Sequence, residues 1–186
     1  MSMCLRFAAG AVALAVAACT QVPGVGDGPV AAPTAASTPS TDATGRLAVA
    51  VEAHEGQPAQ GFNASFELRG RREMGELLLA TATGQRLARL SWKGESAQLE
   101  TPERGVQRYD SLASLSRQMF GEVLPLAALP DWLAGRPMDD VSSQKTAAGF
   151  VQLGWTLDLA RQTEGLLVAR RELPPTIVLR VRLDLP

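Results

Sequence analysis

Cys19 and His54 are the first places to look for chemistry, because nucleophiles, general bases and soft metal ligands are otherwise scarce in this chain. There is one histidine, and the other cysteine, Cys4, lies close to the amino terminus. A thiol or hydroxyl nucleophile needs an imidazole or similar base beside it, and a metal centre needs several ligands together. His54 stands in EAHEGQ between Glu52 and Glu55. That trio could hold a metal casually, but a short polar run ending in glycine reads as a solvated loop. GVGDG, residues 24–28, has no flanking strand and helix and so does not read as a phosphate loop. The chain is therefore expected not to be an enzyme and to need neither metal nor cofactor.

Cys19 has a different context. Phe7 to Ala18 is apolar apart from Gly10 and follows a single charge, Arg6. The run is too short to span a bilayer as a helix, which takes about 20 residues, and fits the apolar core of a secretory signal. Val16-Ala17-Ala18-Cys19 resembles a bacterial lipobox, in which cleavage precedes a diacylated cysteine. Loss of Cys4 with residues 1–18 would leave Cys19 as the sole cysteine, so no internal disulfide is expected. A lone thiol in an oxidising compartment is a liability, whereas a lipid thioether is not. Thr20, where an Asp would signal retention by the enteric sorting rule, resembles an outer-membrane address.

Residues 19–44 read as the lipidated cysteine and a tether of Ala, Pro, Thr, Ser, Gly and Val, with Asp27 and Asp42 the only charges. Such a composition cannot form a core. About 25 flexible residues reach roughly 25–30 Å. The full chain carries 18 basic and 19 acidic residues, a net charge of −1. That balance gives no basic footprint for nucleic acid.

The elements that follow are expected to form one domain, residues 45–186. Phe62, Ala64, Phe66 and Leu68 alternate with polar residues, as do Ala88, Leu90 and Trp92. Val151, Leu153, Trp155, Leu157 and Leu159 share one face of a predicted strand, and Ile177, Leu179, Val181, Leu183 and Leu185 share another. Shorter strands are predicted at 46–51, 76–81, 96–100 and 166–171. This is the period of an antiparallel sheet with one apolar side. DSLASLSRQMFG predicts a helix capped by Asp110 or Ser111 and stopped at Gly121, and PLAALPDWLAGRP predicts a second short helix from near Pro130. Lying between two groups of strands, the helices are suited to covering the apolar face of a curved sheet. The arginines of the RGRRE stretch, Arg69, Arg71 and Arg72, read as solvated hairpin charges or as contacts for an acidic carrier.

These residues resemble the LolB family of outer-membrane lipoprotein receptors. The likeness runs through the lipobox and tether, GRLAV, ELLLATATGQRLARLSW, GVQRYDSLASLSRQMFG, LPLAALPDWLAGRP and GFVQLGWTLDL. Its most specific part is the pattern of Leu124, Pro125, Leu129, Trp132, Gly135 and Pro137. The resemblance implies a half-open antiparallel β-barrel, mainly β with short helices covering an apolar cavity. It also implies a monomeric receptor, lipid-anchored on the periplasmic face of the outer membrane. Such a receptor takes acylated lipoproteins from a LolA-like periplasmic carrier and passes them into that membrane.

On that resemblance the cavity lining is expected to comprise Phe62, Phe66, Leu68, Leu90, Trp92, Leu153, Trp155, Leu157, Ile177 and Leu179. Met119, Phe120 and Trp132 are expected on the lid side. Acyl chains lose about 0.8 kcal/mol per CH₂ on entering water, so cargo must be sheltered throughout its passage. The family's protruding loop is usually of the type Asn/Ser/Asp-Pro-Leu-Gly, with an exposed leucine linked to membrane insertion. Here Thr81-Ala82-Thr83-Gly84 occupies that place, keeping the glycine without the proline or the leucine. Either insertion relies on other groups, such as Leu79 or Leu87, or lipid is bound without efficient insertion. The alternative function is a structural or assembly lipoprotein using the same fold as a protein-binding scaffold, with a filled interior.

Overall fold

The computed structural model describes residues 40–185. The expected signal segment, lipidation site at Cys19 and tether up to residue 39 lie outside the described residues. Eleven antiparallel strands form one sheet: β1 (Thr41–Val51), β2 (Gln60–Arg71), β3 (Met74–Ala80), β4 (Arg86–Lys93), β5 (Ser96–Thr101), β6 (Gly105–Tyr109), β7 (Ser143–Lys145), β8 (Gly149–Gln152), β9 (Trp155–Asp158), β10 (Leu166–Arg171) and β11 (Ile177–Leu183). Two helices, α1 (Leu112–Phe120) and α2 (Leu129–Leu133), fall between β6 and β7.

The sheet order is β6-β5-β4-β3-β2-β1-β11-β10-β9-β8-β7, so the first and last strands meet at its centre. β6 and β7 are the two edges and do not pair with each other, which leaves an open, unclosed sheet consistent with a half-open barrel. The alternation accounts for this architecture because β1–β5 and β8–β11 each bury alternate side chains on the same inner face. Leu90, Leu157 and Ile177 are fully inaccessible there. Each such side chain contributes roughly 1.5–3 kcal/mol by leaving water.

β1 starts earlier than the change of pattern at Gly45 suggests. Thr41 to Thr44 already pair with β2, from Thr41 opposite Gly70 to Thr44 opposite Glu67. The Thr41 hydroxyl donates to the Pro130 carbonyl at 3.0 Å, tying the start of the strand to α2. Ala43 packs on the core while Asp42 and Thr44 face water, so the period-two pattern continues through residues whose small, polar composition resembles a tether.

The predicted strand through Val151 to Leu159 is two strands joined by a tight turn. Gln152 pairs with Trp155, leaving Leu153 and Gly154 as a two-residue loop with φ of 55° and 76°. Positive φ at both positions is the type I′ arrangement that suits a twisted hairpin. Residues three apart then face the same side, so Phe150 and Gln152 point inward before the turn, and Trp155 and Leu157 after it. β6 and β7 are strands that the alternation does not announce, and both are largely exposed edge strands.

α1 begins where Ser111 accepts the Ser114 backbone N–H at 3.0 Å, so Ser111 and not Asp110 is the cap. It ends at Gly121, with φ 75°, whose N–H donates to the Arg117 carbonyl. The helix lies against β5 and β6, and α2 lies against β1 and β2. Opposite them, Gly75 leaves space for the Trp92 ring, which a Cβ would meet at 2.4 Å. That packing lets the Trp92 indole N–H donate to the Arg72 carbonyl at 2.8 Å and close the β2–β3 hairpin.

Candidate functional site: the apolar interior and its helical cover

Eight of the ten predicted lining residues are buried in one continuous cluster: Phe66, Leu68, Leu90, Trp92, Trp155, Leu157, Ile177 and Leu179. Phe62 is half-buried at the rim. Leu153 is not in the interior: it stands 48% exposed at the tip of the β8–β9 turn. On the cover, Phe120 and Trp132 are buried, and Met119 is half-buried where α1 meets solvent. The Phe120 ring meets Phe62 edge-on, with centroids 5.4 Å apart and planes at 78°. Trp132 lies 6.2 Å from Trp155.

Between the sheet and the helices, predicted lining residues such as Phe66, Leu68, Trp155 and Leu179 meet residues outside the predicted set. Leu47, Leu77, Leu129 and Leu179 border two voids there, each of about 20 Å³. Voids of that size hold about one water and no acyl chain. The apolar surface is thus present, but its own side chains fill it and the helices close over it. Leu47 and Leu77 belong to the same inward alternation as Val49 and Leu79, and that pattern is the signal by which they could have been found.

Polar groups hold the cover in place. Gln152, buried on β8, accepts the Trp132 indole N–H at 3.1 Å and the Met138 backbone N–H at 2.9 Å. Its amide nitrogen donates to the carbonyls of Met138 at 3.0 Å and Val141 at 2.8 Å. All four of its hydrogen-bonding capacities are used, which is what burial of an amide demands. Ser116 does similar work after α1, donating to the Glu122 carbonyl at 3.0 Å and accepting the Leu124 N–H at 2.7 Å. Asp131, buried on α2, accepts from Arg136 at 2.9 Å. None of these anchors follows from periodicity.

The Thr81-Ala82-Thr83-Gly84 loop is a closed polar turn. Thr81 Oγ1 lies 2.9 Å from Thr83 Oγ1 and accepts the Gln85 N–H at 3.1 Å, with Gly84 at φ 85°. Leu79 is fully buried, so it is not an exposed substitute for a loop leucine, and Leu87 is half-buried against the core. His54 lies in the β1–β2 loop, bridged to Gln57 through the backbone and 3.4 Å from Glu55. Arg69 pairs with Glu67, Arg71 and Arg72 with Glu73, and Arg72 also with Asp140, so the arginines of the hairpin are matched within the molecule.

Comparison with known proteins agrees with this geometry. Residues 40–185 match the family model described as outer membrane lipoprotein LolB. A Bordetella petrii protein named outer-membrane lipoprotein LolB is 30% identical over 190 residues, covering 96% of this chain and 91% of that protein. A Thiobacillus denitrificans protein of the same name is 34% identical over 90 residues, covering 45% of this chain and 48% of that one. An open antiparallel sheet whose apolar face is closed by two short helices, matched along its whole described length, places the chain in the LolB family of outer membrane lipoproteins.

Proposed function

We propose that this protein is an outer-membrane lipoprotein receptor. It is lipidated at Cys19, anchored on the periplasmic face, and takes acylated lipoproteins from a LolA-like carrier into the space between its sheet and helices. The observation that carries this reading is the apolar inner face covered by two short helices in a chain of the LolB family. The work is binding and handover, without a chemical step on the cargo. Because the interior is filled, cargo can enter only if α1 and α2 move away from the sheet. A groove of about 410 Å³ beside α1, where Met119 and Leu87 reach solvent above the buried Leu99, is the natural point of entry.

Delivery needs apolar groups at the membrane, and the polar Thr83 loop supplies none. The β3–β4, β8–β9 and β10–β11 connections leave the sheet at one end, where Val51 pairs with both Gln60 and Ile177. Leu153 and Leu173 stand at that end, 48% and 68% exposed. We assign membrane contact to these two leucines in place of the loop.

The filled interior favours a second reading, a scaffold that binds a protein partner and no lipid. A handover assay separates them. A carrier loaded with a lipidated protein is mixed with the domain from Thr20 onward, and a pull-down shows which partner holds the cargo. Transfer to the domain is the expected result, and cargo that stays with the carrier while the domain is folded would sink receptor action.

A further inference from the structure

A groove of about 600 Å³ is on the outer face of the sheet, away from the helices. It crosses β2, β1, β11 and β10, the middle of the sheet. Two rows of outward side chains form it. Ser65, Arg46, Arg182 and Leu166 are successive cross-strand partners, and Asn63, Ala48, Arg180 and Val168 form the next row.

Arg46 and Arg182 are directly opposite each other on neighbouring strands. Like charges in that relationship destabilise a sheet. Among the described residues, no carboxylate oxygen lies within 4.0 Å of Arg46, Arg180 or Arg182. By contrast, Arg69, Arg86, Arg89, Arg170 and Arg171 each sit on a carboxylate. Asp158, the acid in the lining, accepts the Ala160 N–H at 2.9 Å. Glu164, outside the lining, feels the charge of Arg182 but is held by Arg161 at 2.7 Å.

We propose that this groove is a headgroup site for an anionic phospholipid of the membrane that the protein faces. Guanidinium forks match phosphate oxygens, and a bound phosphodiester would relieve the repulsion between Arg46 and Arg182. Ala48, Leu166 and Val168, all half-buried, offer a short apolar floor for the glycerol and first methylenes. An acidic peptide fits less well. β1 and β11 are paired on both sides, so their main-chain groups are committed and no strand can be added.

The test uses residues 19–186 carrying Cys19→Ala, so that neither the apolar leader nor an acyl anchor contributes, and measures flotation with phosphatidylcholine vesicles with and without phosphatidylglycerol. Binding should require phosphatidylglycerol and weaken with salt. Arg46→Gln with Arg182→Gln should weaken it roughly tenfold or more, since each arginine near an anionic surface is a substantial share of the attraction. The same pair should leave the thermal midpoint unchanged or raised, because a like-charge contact is removed. Arg104→Gln with Arg108→Gln, exposed arginines outside the groove, should cost much less. The proposal is overturned by equal binding to both vesicle types, by wild-type binding of the groove variant, or by an equal loss in the control pair. It is also overturned if inorganic phosphate binds the groove while vesicles do not. None of these outcomes depends on handover of cargo, so the receptor function and this site can fail separately.

Discussion

The Trp132 indole N–H and the Met138 backbone N–H converge on one oxygen, Oε1 of Gln152, at 3.1 Å and 2.9 Å. One amide on the sheet thus fixes both α2 and the segment that follows it. The arrangement makes the cover a latched element, because the alternative partner for each of these buried groups is water, which must enter before the helix can leave.

Gln152→Leu is therefore expected to destabilise the fold although it is an apolar replacement in an apolar setting. It strands an indole N–H and a backbone N–H, and two carbonyls lose their donor, at roughly 1–3 kcal/mol for each unsatisfied buried group. A total loss of about 3 kcal/mol or more in urea unfolding is expected, with faster amide exchange in α2. Wild-type stability would mean that Met138 and Trp132 find other partners.

A second pair of substitutions separates strain from function. Leu153 has φ 55°, a conformation that costs an L-residue with a side chain on the order of 1 kcal/mol and that Asn tolerates. Leu153→Asn creates the Asn-Gly sequence favoured in a two-residue hairpin and should raise stability by roughly 0.5–1 kcal/mol. Combined with Leu173→Asn, it should lower incorporation of cargo into vesicles while uptake from the carrier persists. Unchanged incorporation would remove the two leucines from membrane contact. Trp155→Glu, by contrast, buries a charge at a position 3% exposed and should abolish folding.

Leu153 also shows where the sequence misleads. Val151, Leu153, Trp155, Leu157 and Leu159 give an unbroken odd-numbered apolar register, which reads as one strand facing one way. A two-residue turn reverses the parity, and Val151 and Leu153 happen to be apolar on the outer side. Gly154 was the visible signal. Most of the core was legible because burial on one face imposes period two, and the caps of α1 because Ser111 and Gly121 satisfy groups every helix end exposes. Gln152, Ser116 and Asp131 were not legible, since their partners come from distant segments and a lone polar residue carries no period. The outer arginines were also hidden: only the pairing of β1 with β11 brings Arg46 and Arg182 together.

The polar loop provides a gain-of-function test. Thr83 is exposed, and its hydroxyl contact with Thr81 at 2.9 Å is at the surface. Thr81 Oγ1 keeps the Gln85 N–H without it. Thr83→Leu should change stability by no more than about 0.5 kcal/mol. It should increase delivery of bound lipoprotein to vesicles, because an apolar tip is added at the end where Leu153 and Leu173 stand. Delivery equal to wild type would show that this loop does not reach the membrane.

Phe120→Ala tests whether the cover gates uptake. Phe120 is buried at the end of α1, edge-on to Phe62, and borders the void shared with Leu124 and Trp155. Truncation should cost about 3–5 kcal/mol of stability if the site does not collapse, much of it from docking of α1. A ligand that binds only the open form has its apparent affinity reduced by the fraction of open molecules, so weakening the closed form raises that affinity. At a fixed concentration of loaded carrier, Phe120→Ala should take up a larger share of cargo than wild type despite being less stable. A smaller share, with folding retained in the assay, would place Phe120 in contact with the acyl chains and not on a gate.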